Sequence, residues 1–521
     1  MTEHPELRRL ARGGLGGLLA AVVSSLGGLA FIAIITHNYP RSTAGEVFTL
    51  TSIFLIALAV ATLGAETGVV RFVALKRELQ PGQVGAVMAS ILMPVALLSV
   101  VLAAALWFSM PTLLGETSYR GEVAQARLLA LFLPVAALSN LTLAATRGFG
   151  NVRQTILIES LLRQGLQPIF ALAAALLGAD GFWLVAAWIA PYAASCLGGV
   201  ASYRTICRRQ GIRSWVSPRS AEAKGVAAEV WRFNAPRSLT QIAQMSIRRA
   251  DIPLVSAIAG KEAAAIYTAA SRFVASGLQG IKGIQQMVGP QLARLVATGQ
   301  TEQAGITLRA ATTWNVLLAW PIYLACAALP GLVMAIFDSE KYDYSSGEVV
   351  VVILALGMLI GTAAGPVDIA LLMLGRSVQS LRNNMAALLT NLALNFALIP
   401  LWGIAGAAWA WAAAILVSNA LPTWQIRRYL GPTSDRRTLT AAGLALSTFG
   451  AIPLATQLSG GSLWWQLGSV LVAGVVYAAL VYLYRRTLLL EDLLSGLRRR
   501  GSSGAAAQEQ AVAGHPITDQ G

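Results

Sequence analysis

The stretch RFNAPRSLTQIAQMSIRRADIPLVSAIAGKEAAAIYTAASRF, residues 232–273, sets the problem this sequence poses. By length and apolar content it reads as one membrane-crossing helix and most of the next, since about 20 largely apolar residues cross a hydrocarbon core about 30 Å thick. Yet arginines stand in its middle. Arg237, Gln241, Gln244, Arg248 and Asp251 are spaced 4, 3, 4 and 3, which at about 100° per residue puts all five on one helical face. The next position on that face is Val255, where the polar stripe stops. Arg249 lies about 100° off it. An ionised group in hydrocarbon costs about 2.5–3.5 kcal/mol on insertion scales, so such a face belongs inside a bundle or against water.

The rest of the chain agrees that the surroundings are lipid. Of 521 residues 56% are apolar and 12% charged, with a mean hydropathy of +0.62, against about 25% charged in soluble domains. Three cysteines and three histidines in no cluster offer neither a disulfide framework nor a metal site, and no cofactor is expected. A net charge of +15 would point to nucleic acid in a soluble protein. Here its position along the chain decides its meaning, and no nucleic-acid partner is expected.

The expected fold is an all-α polytopic membrane protein with about 14 spans, near 14–37, 45–67, 85–109, 125–146, 155–178, 181–203, 232–259, 262–287, 307–337, 346–374, 378–400, 402–425, 438–456 and 464–484. With both termini cytoplasmic, alternation assigns 28 of the 39 basic residues to inner segments and five to outer loops. That bias is the one membrane insertion produces. Six basic residues fall within spans: Arg163, Arg237, Arg248, Arg249, Arg272 and Lys282.

A basic connection, 204–230, divides an N-lobe (1–203, six spans) from a C-lobe (231–426, six spans). Two additional spans (427–486) and a tail (487–521), disordered towards its end, follow. The lobes show faint self-similarity. Shifted by 219 residues, Val47-Phe48-Thr49, Ser52 and Phe54 meet Ile266-Tyr267-Thr268, Ser271 and Phe273; shifted by 225, Gly150 meets Gly375 and Gly181 meets Gly406. Two pseudo-symmetric lobes around a central cavity are a transporter pattern.

Other intramembrane polar residues extend the stripe. Arg272, Ser276, Gln279 and Gln286, with Lys282 nearby, mark the eighth span; Glu159, Arg163 and Gln167 the fifth; Asn384, Asn391 and Asn395 the eleventh; and Glu66 closes the second beside Arg71. A plain account exists for some. Glu159 and Arg163, four apart, can neutralise each other, as can Arg248 or Arg249 with Asp251. Across the seventh and eighth spans, however, five basic residues face one acid. Unneutralised cations around a cavity are what an anionic substrate supplies with counter-charge.

At this point the chain resembles the oligosaccharide flippases of the polysaccharide-transporter branch of the MOP exporter superfamily. The resembling stretches are PRSTAGEVFTLTSIFLIALAVATLGAETGVVRFVA at 40–74, the 232–273 segment with Pro236, Asp251, Tyr267, Ala270 and Arg272, and NNMAALLTNLALNFALIPLWGIAGAAWAWAAA at 383–414. The resemblance implies alternating access and a polyprenyl-pyrophosphate-linked oligosaccharide moved from the inner to the outer leaflet of the cell membrane. It further implies a pyrophosphate held by Arg237, Arg248, Arg249 and Arg272, and partners such as a glycan polymerase or glycosyltransferase. Cavity or coupling roles then fall to Gln241, Gln244, Asp251, Glu159, Arg163, Lys282, Asn391 and Glu66. The first span departs from the related lipid II flippases in having no arginine beyond Arg12, which disfavours that identity.

Two competing functions were weighed. A cation-coupled multidrug antiporter of the same superfamily would want acids in the cavity, where bases prevail. A membrane-bound polysaccharide polymerase or ligase would want a large external loop, a nucleophile–base pair or a metal cluster, none of which the sequence offers. GFGNVR, at 148–153, is too short to cradle a phosphate. The reading is a transporter and not an enzyme.

Overall fold

The computed structural model describes residues 23–114, 120–217, 220–277 and 279–488; the side chains of 279–287 also lie outside that description. Arg12, the tail beyond 488 and the side chain of Lys282 therefore lie outside the described residues. What is described is 87% helix without strands.

The first half comprises α1 (Val23–Asn38), α2 (Arg41–Thr62), α3 (Ala65–Leu79), α4 (Val84–Leu114), α5 (Arg120–Gly148), α6 (Val152–Thr155), α7 (Gln164–Leu176), α8 (Gly181–Ile189) and α9 (Pro191–Arg209). The second half holds α10 (Ala221–Arg249), α11 (Asp251–Ala259), α12 (Lys261–Ser276), α13 (Gln279–Ala297), α14 (Thr301–Ala328), α15 (Pro330–Met334), α16 (Glu348–Ala363), α17 (Val367–Met373) and α18 (Ser377–Leu430). Last come α19 (Arg436–Ala445), α20 (Ala451–Leu458) and α21 (Leu463–Leu483).

Among the described residues nine helices are long and apolar enough to cross a membrane. One of them, the 54-residue α18, is broken at Gly403 (φ 56°, ψ −130°), where the expected spans 378–400 and 402–425 meet. The first expected span is described only from Val23. The runs 232–259 and 262–287 carry polar stripes and are interrupted after Arg249 and Ser276, which keeps them out of the apolar class. Helices also overrun the apolar runs. Ser220 caps α10 by accepting from Ala223 N–H at 3.2 Å, so of the connection expected over 204–230 the residues up to Arg209 and from Ala221 on are helical.

Glu66 does not close a straight second span. Leu63 (φ 48°) and Gly64 (φ 57°) are both left-handed, ending α2 and redirecting the chain into α3. A left-handed leucine costs about 1–2 kcal/mol, and the corner is held from outside. The hydroxyl of Ser238, on α10, donates to Leu63 O, and a Cβ on Gly64 would lie 2.9 Å from Ser238 Cα.

The two halves meet at both ends of the bundle. At one end α2 crosses α12 so closely that a Cβ on Gly45 would sit 1.8 Å from Lys261 O. There Lys261 pairs with Glu46 at 3.7 Å and also with Glu122, and Arg41 pairs with Glu262 at 3.5 Å. At the other end Lys76 pairs with Glu229 at 3.4 Å, Gln241 donates to Thr67 Oγ1 at 2.9 Å, and Trp231 donates to Ser90 O at 3.1 Å. The helices that cross, α2 and α12, are the ones the 219-residue shift superposes. Gly150 (φ 77°) and Gly375 (φ 74°), matched by the 225-residue shift, share the same left-handed conformation.

Candidate functional site

Between the halves lies a central cavity of about 640 Å³. The first half contributes Ser24 and Ser25 of α1, Thr51 and Ser52 of α2, and Gln167 of α7. The second contributes three guanidiniums: Arg248 and Arg249 at the end of α10, and Arg272 on α12. Arg249, expected off the stripe, lines the same cavity as Arg248.

None of these three arginines forms an ion pair among the described residues. Arg272 donates to Arg248 O at 2.6 Å and its Nε has no partner. The guanidiniums of Arg248 and Arg249 make no hydrogen bond within the described chain. Asp251 is the nearby opposite charge, felt by Arg272 and Arg249, but it forms no salt bridge with them. It begins a new helix, is 0% exposed, and accepts from Tyr267 OH at 2.5 Å and from Ile252 N–H at 3.0 Å. One buried acid thus offsets part of the charge of three arginines, and the plain account, an Arg–Asp251 pair, does not neutralise the cluster.

It does hold in the first half. Arg163 pairs with Glu159 at 2.8 Å and lies over the Tyr192 ring at 4.5 Å. The pair sits on a π-helical turn, Ile156–Arg163, a feature frequent at functional sites. Glu66 accepts from Asn140 at 3.0 Å and pairs with Arg147 at 3.6 Å, while Arg71, its expected neighbour, lies over Phe233 at 4.4 Å. Neither acid lines the cavity. Asn391 is fully buried with both side-chain polar atoms unpartnered, and it too lies off the cavity.

Arg237 stands apart from the other three. It lines a second cavity, about 350 Å³, between α10 and α17, with Gln241, Gln244, Arg248 and Asp368. Asp368 is the residue that sequence reading missed. It borders both cavities and accepts from Ser380 Oγ at 2.5 Å. An acid deep in the apolar run 346–374, which otherwise holds only Glu348 near its start, is a signal of the same kind as the arginines, but it has no companions at helical spacing. Among the described residues no three His, Cys, Asp or Glu side chains group as metal ligands. The chemistry on offer is recognition: cationic forks for an anion, with Gln, Asn, Ser and Thr for hydroxyls.

No family model and no curated protein matches this sequence. Solved structures do match in fold. A lipid II flippase MurJ in an inward closed conformation superposes with a TM-score of 0.71 at 14% identity, over 90% of this chain and 99% of that one. An inward-facing multidrug resistance MATE family transporter of the MOP superfamily gives 0.64 at 14%, over 80% and 98%. A MOP superfamily transporter from Pyrococcus furiosus, described as having a binding pocket of reverse polarity, gives 0.54 at 15%, over 84% and 95%. The fold is thus that of MOP-superfamily transporters, in a multi-pass membrane protein.

Proposed function

We propose that this protein flips a polyprenyl-pyrophosphate-linked oligosaccharide from the inner to the outer leaflet of the cytoplasmic membrane, by alternating access, for cell-surface polysaccharide biosynthesis. One observation carries the reading: three guanidiniums line a cavity between the halves, and none has an ion-pair partner among the described residues. Like charges gathered around one cavity repel until an opposite charge arrives, and planar guanidiniums match a pyrophosphate bidentately. The cavity's amides and hydroxyls suit a sugar. The lobe-to-lobe contacts at either end are the ones that must open in turn, with both termini taken as cytoplasmic. Glycosyltransferases would supply the substrate and a polymerase would receive it.

The test is translocation of a fluorescent polyprenyl-pyrophosphate oligosaccharide by proteoliposomes carrying wild type or Arg248→Ala, with insertion verified for both. Wild type moves the lipid, and the variant is slowed at least about tenfold. The second reading, a cation-coupled multidrug antiporter, rests on Asp368 at the border of both cavities. Proton-coupled exchange of a cationic dye, with no movement of the lipid, would favour it.

A further inference from the structure

The sequence places four arginines in one group, but the fold divides them. Arg237 and Arg248 are eleven residues apart on α10, about 16 Å at 1.5 Å per residue. They open on different cavities, Arg237 on the one against α17 and Arg248 on both. Arg237 has no hydrogen bond or ion pair among the described residues, and its Nε is buried without a partner. Both cavities fall in the range of about 300–1,000 Å³ typical of small-ligand sites. The two adjoin, and Gln244, Arg248, Gly365, Asp368 and Asn419 line both.

Resting on the flippase reading for the identity of the ligand, we propose that α10 carries two anion stations in series: an inner station at Arg237 that first takes the substrate's pyrophosphate, and the central station at Arg248, Arg249 and Arg272 that holds it for translocation. The charges grade the two. The inner station has Arg237 and part of Arg248 set against Asp368, whose carboxylate stays fixed on Ser380. The central station has three cations, and the same Asp368 lies at its edge. Binding therefore tightens from the inner station to the centre, and Arg248, shared by both, passes the anion on. Arg237 governs capture and the central cluster governs the crossing.

Titration of the purified full-length protein with inorganic pyrophosphate tests this directly. Two classes of site are expected, the weaker by about tenfold or more in Kd. Arg237→Gln removes the weak class alone, Arg237→Lys keeps it, and Arg248→Gln weakens the tight class. Thermal unfolding and gel filtration of each variant check folding, and the lysine variant separates loss of charge from loss of structure. A single class of site, or a weak class that survives Arg237→Gln, overturns the proposal. Farnesyl pyrophosphate, the same head on a short prenyl chain, is expected to displace inorganic pyrophosphate from both classes. Displacement from the tight class alone would mean the inner station takes soluble anions and would overturn its capture role. In proteoliposomes Arg237→Gln raises the half-saturating lipid concentration about tenfold with little change in maximal rate, whereas Arg248→Gln lowers the maximal rate. Two sites without translocation would sink the flippase reading and leave the stations; translocation with one site would do the reverse.

Discussion

Glu159–Arg163 in the first half and Arg248–Arg249–Arg272 in the second are both polar clusters inside apolar helices, and they resolve their charge in opposite ways. Arg163 is settled by a carboxylate of its own turn at 2.8 Å and by the aromatic face of Tyr192 on α9 at 4.5 Å. The second-half arginines have one acid near them, Asp251, which hydrogen-bonds Tyr267, forms no salt bridge with them and is outnumbered three to one. One cluster is internally complete, and the other is complete only with something else bound. Intramembrane charge alone thus does not mark a site; charge without an internal counter-ion does.

Substitutions separate the two cases. The largest effect is expected from Glu159→Gln, which leaves Arg163 unpaired at 11% side-chain exposure. Thermal unfolding in detergent should show a loss of about 2–3 kcal/mol, at or below the range for breaking a fully buried pair because Glu159 keeps some solvent. The double variant Glu159→Gln/Arg163→Gln removes both charges and should recover all but about 1 kcal/mol of the wild-type stability. Arg249→Gln should move stability the other way, by about 0.5–1 kcal/mol upward, since it removes a cation from beside two others and breaks no ion pair. An Arg249→Gln protein as damaged as Glu159→Gln would erase the distinction between the clusters.

Much of this was legible in the sequence, for reasons that also explain what was not. The all-helical membrane architecture follows from apolar runs and the basic bias of alternate loops. The stripe on residues 237–248 follows from helical periodicity, which holds as long as the helix is unbroken. It is interrupted at Ala250, after which Asp251 begins α11 and lies fully buried; and a cavity wider than one face takes in Arg249 as well as Arg248. The partner of Asp251 is 16 residues on, in the next helix, a contact that spacing along one helix does not encode. Nor does spacing show that α17 comes against α10 at Arg237, dividing four arginines between two cavities. Nor does the pattern show the corner before Glu66, because the left-handed position at Leu63 is filled by a leucine where glycine would be the expected signal.

The central claim is that the cavity arginines keep an excess of positive charge and form no salt bridge until substrate brings an anion, and ligand-dependent stability measures it. Pyrophosphate at about 100 times its Kd should stabilise the wild-type protein by about 2.7 kcal/mol. The triple variant Arg248→Gln/Arg249→Gln/Arg272→Gln, folded and measured alongside, should lose most of that gain. A wild-type protein unmoved by pyrophosphate, or a triple variant stabilised as fully as wild type, would contradict the account.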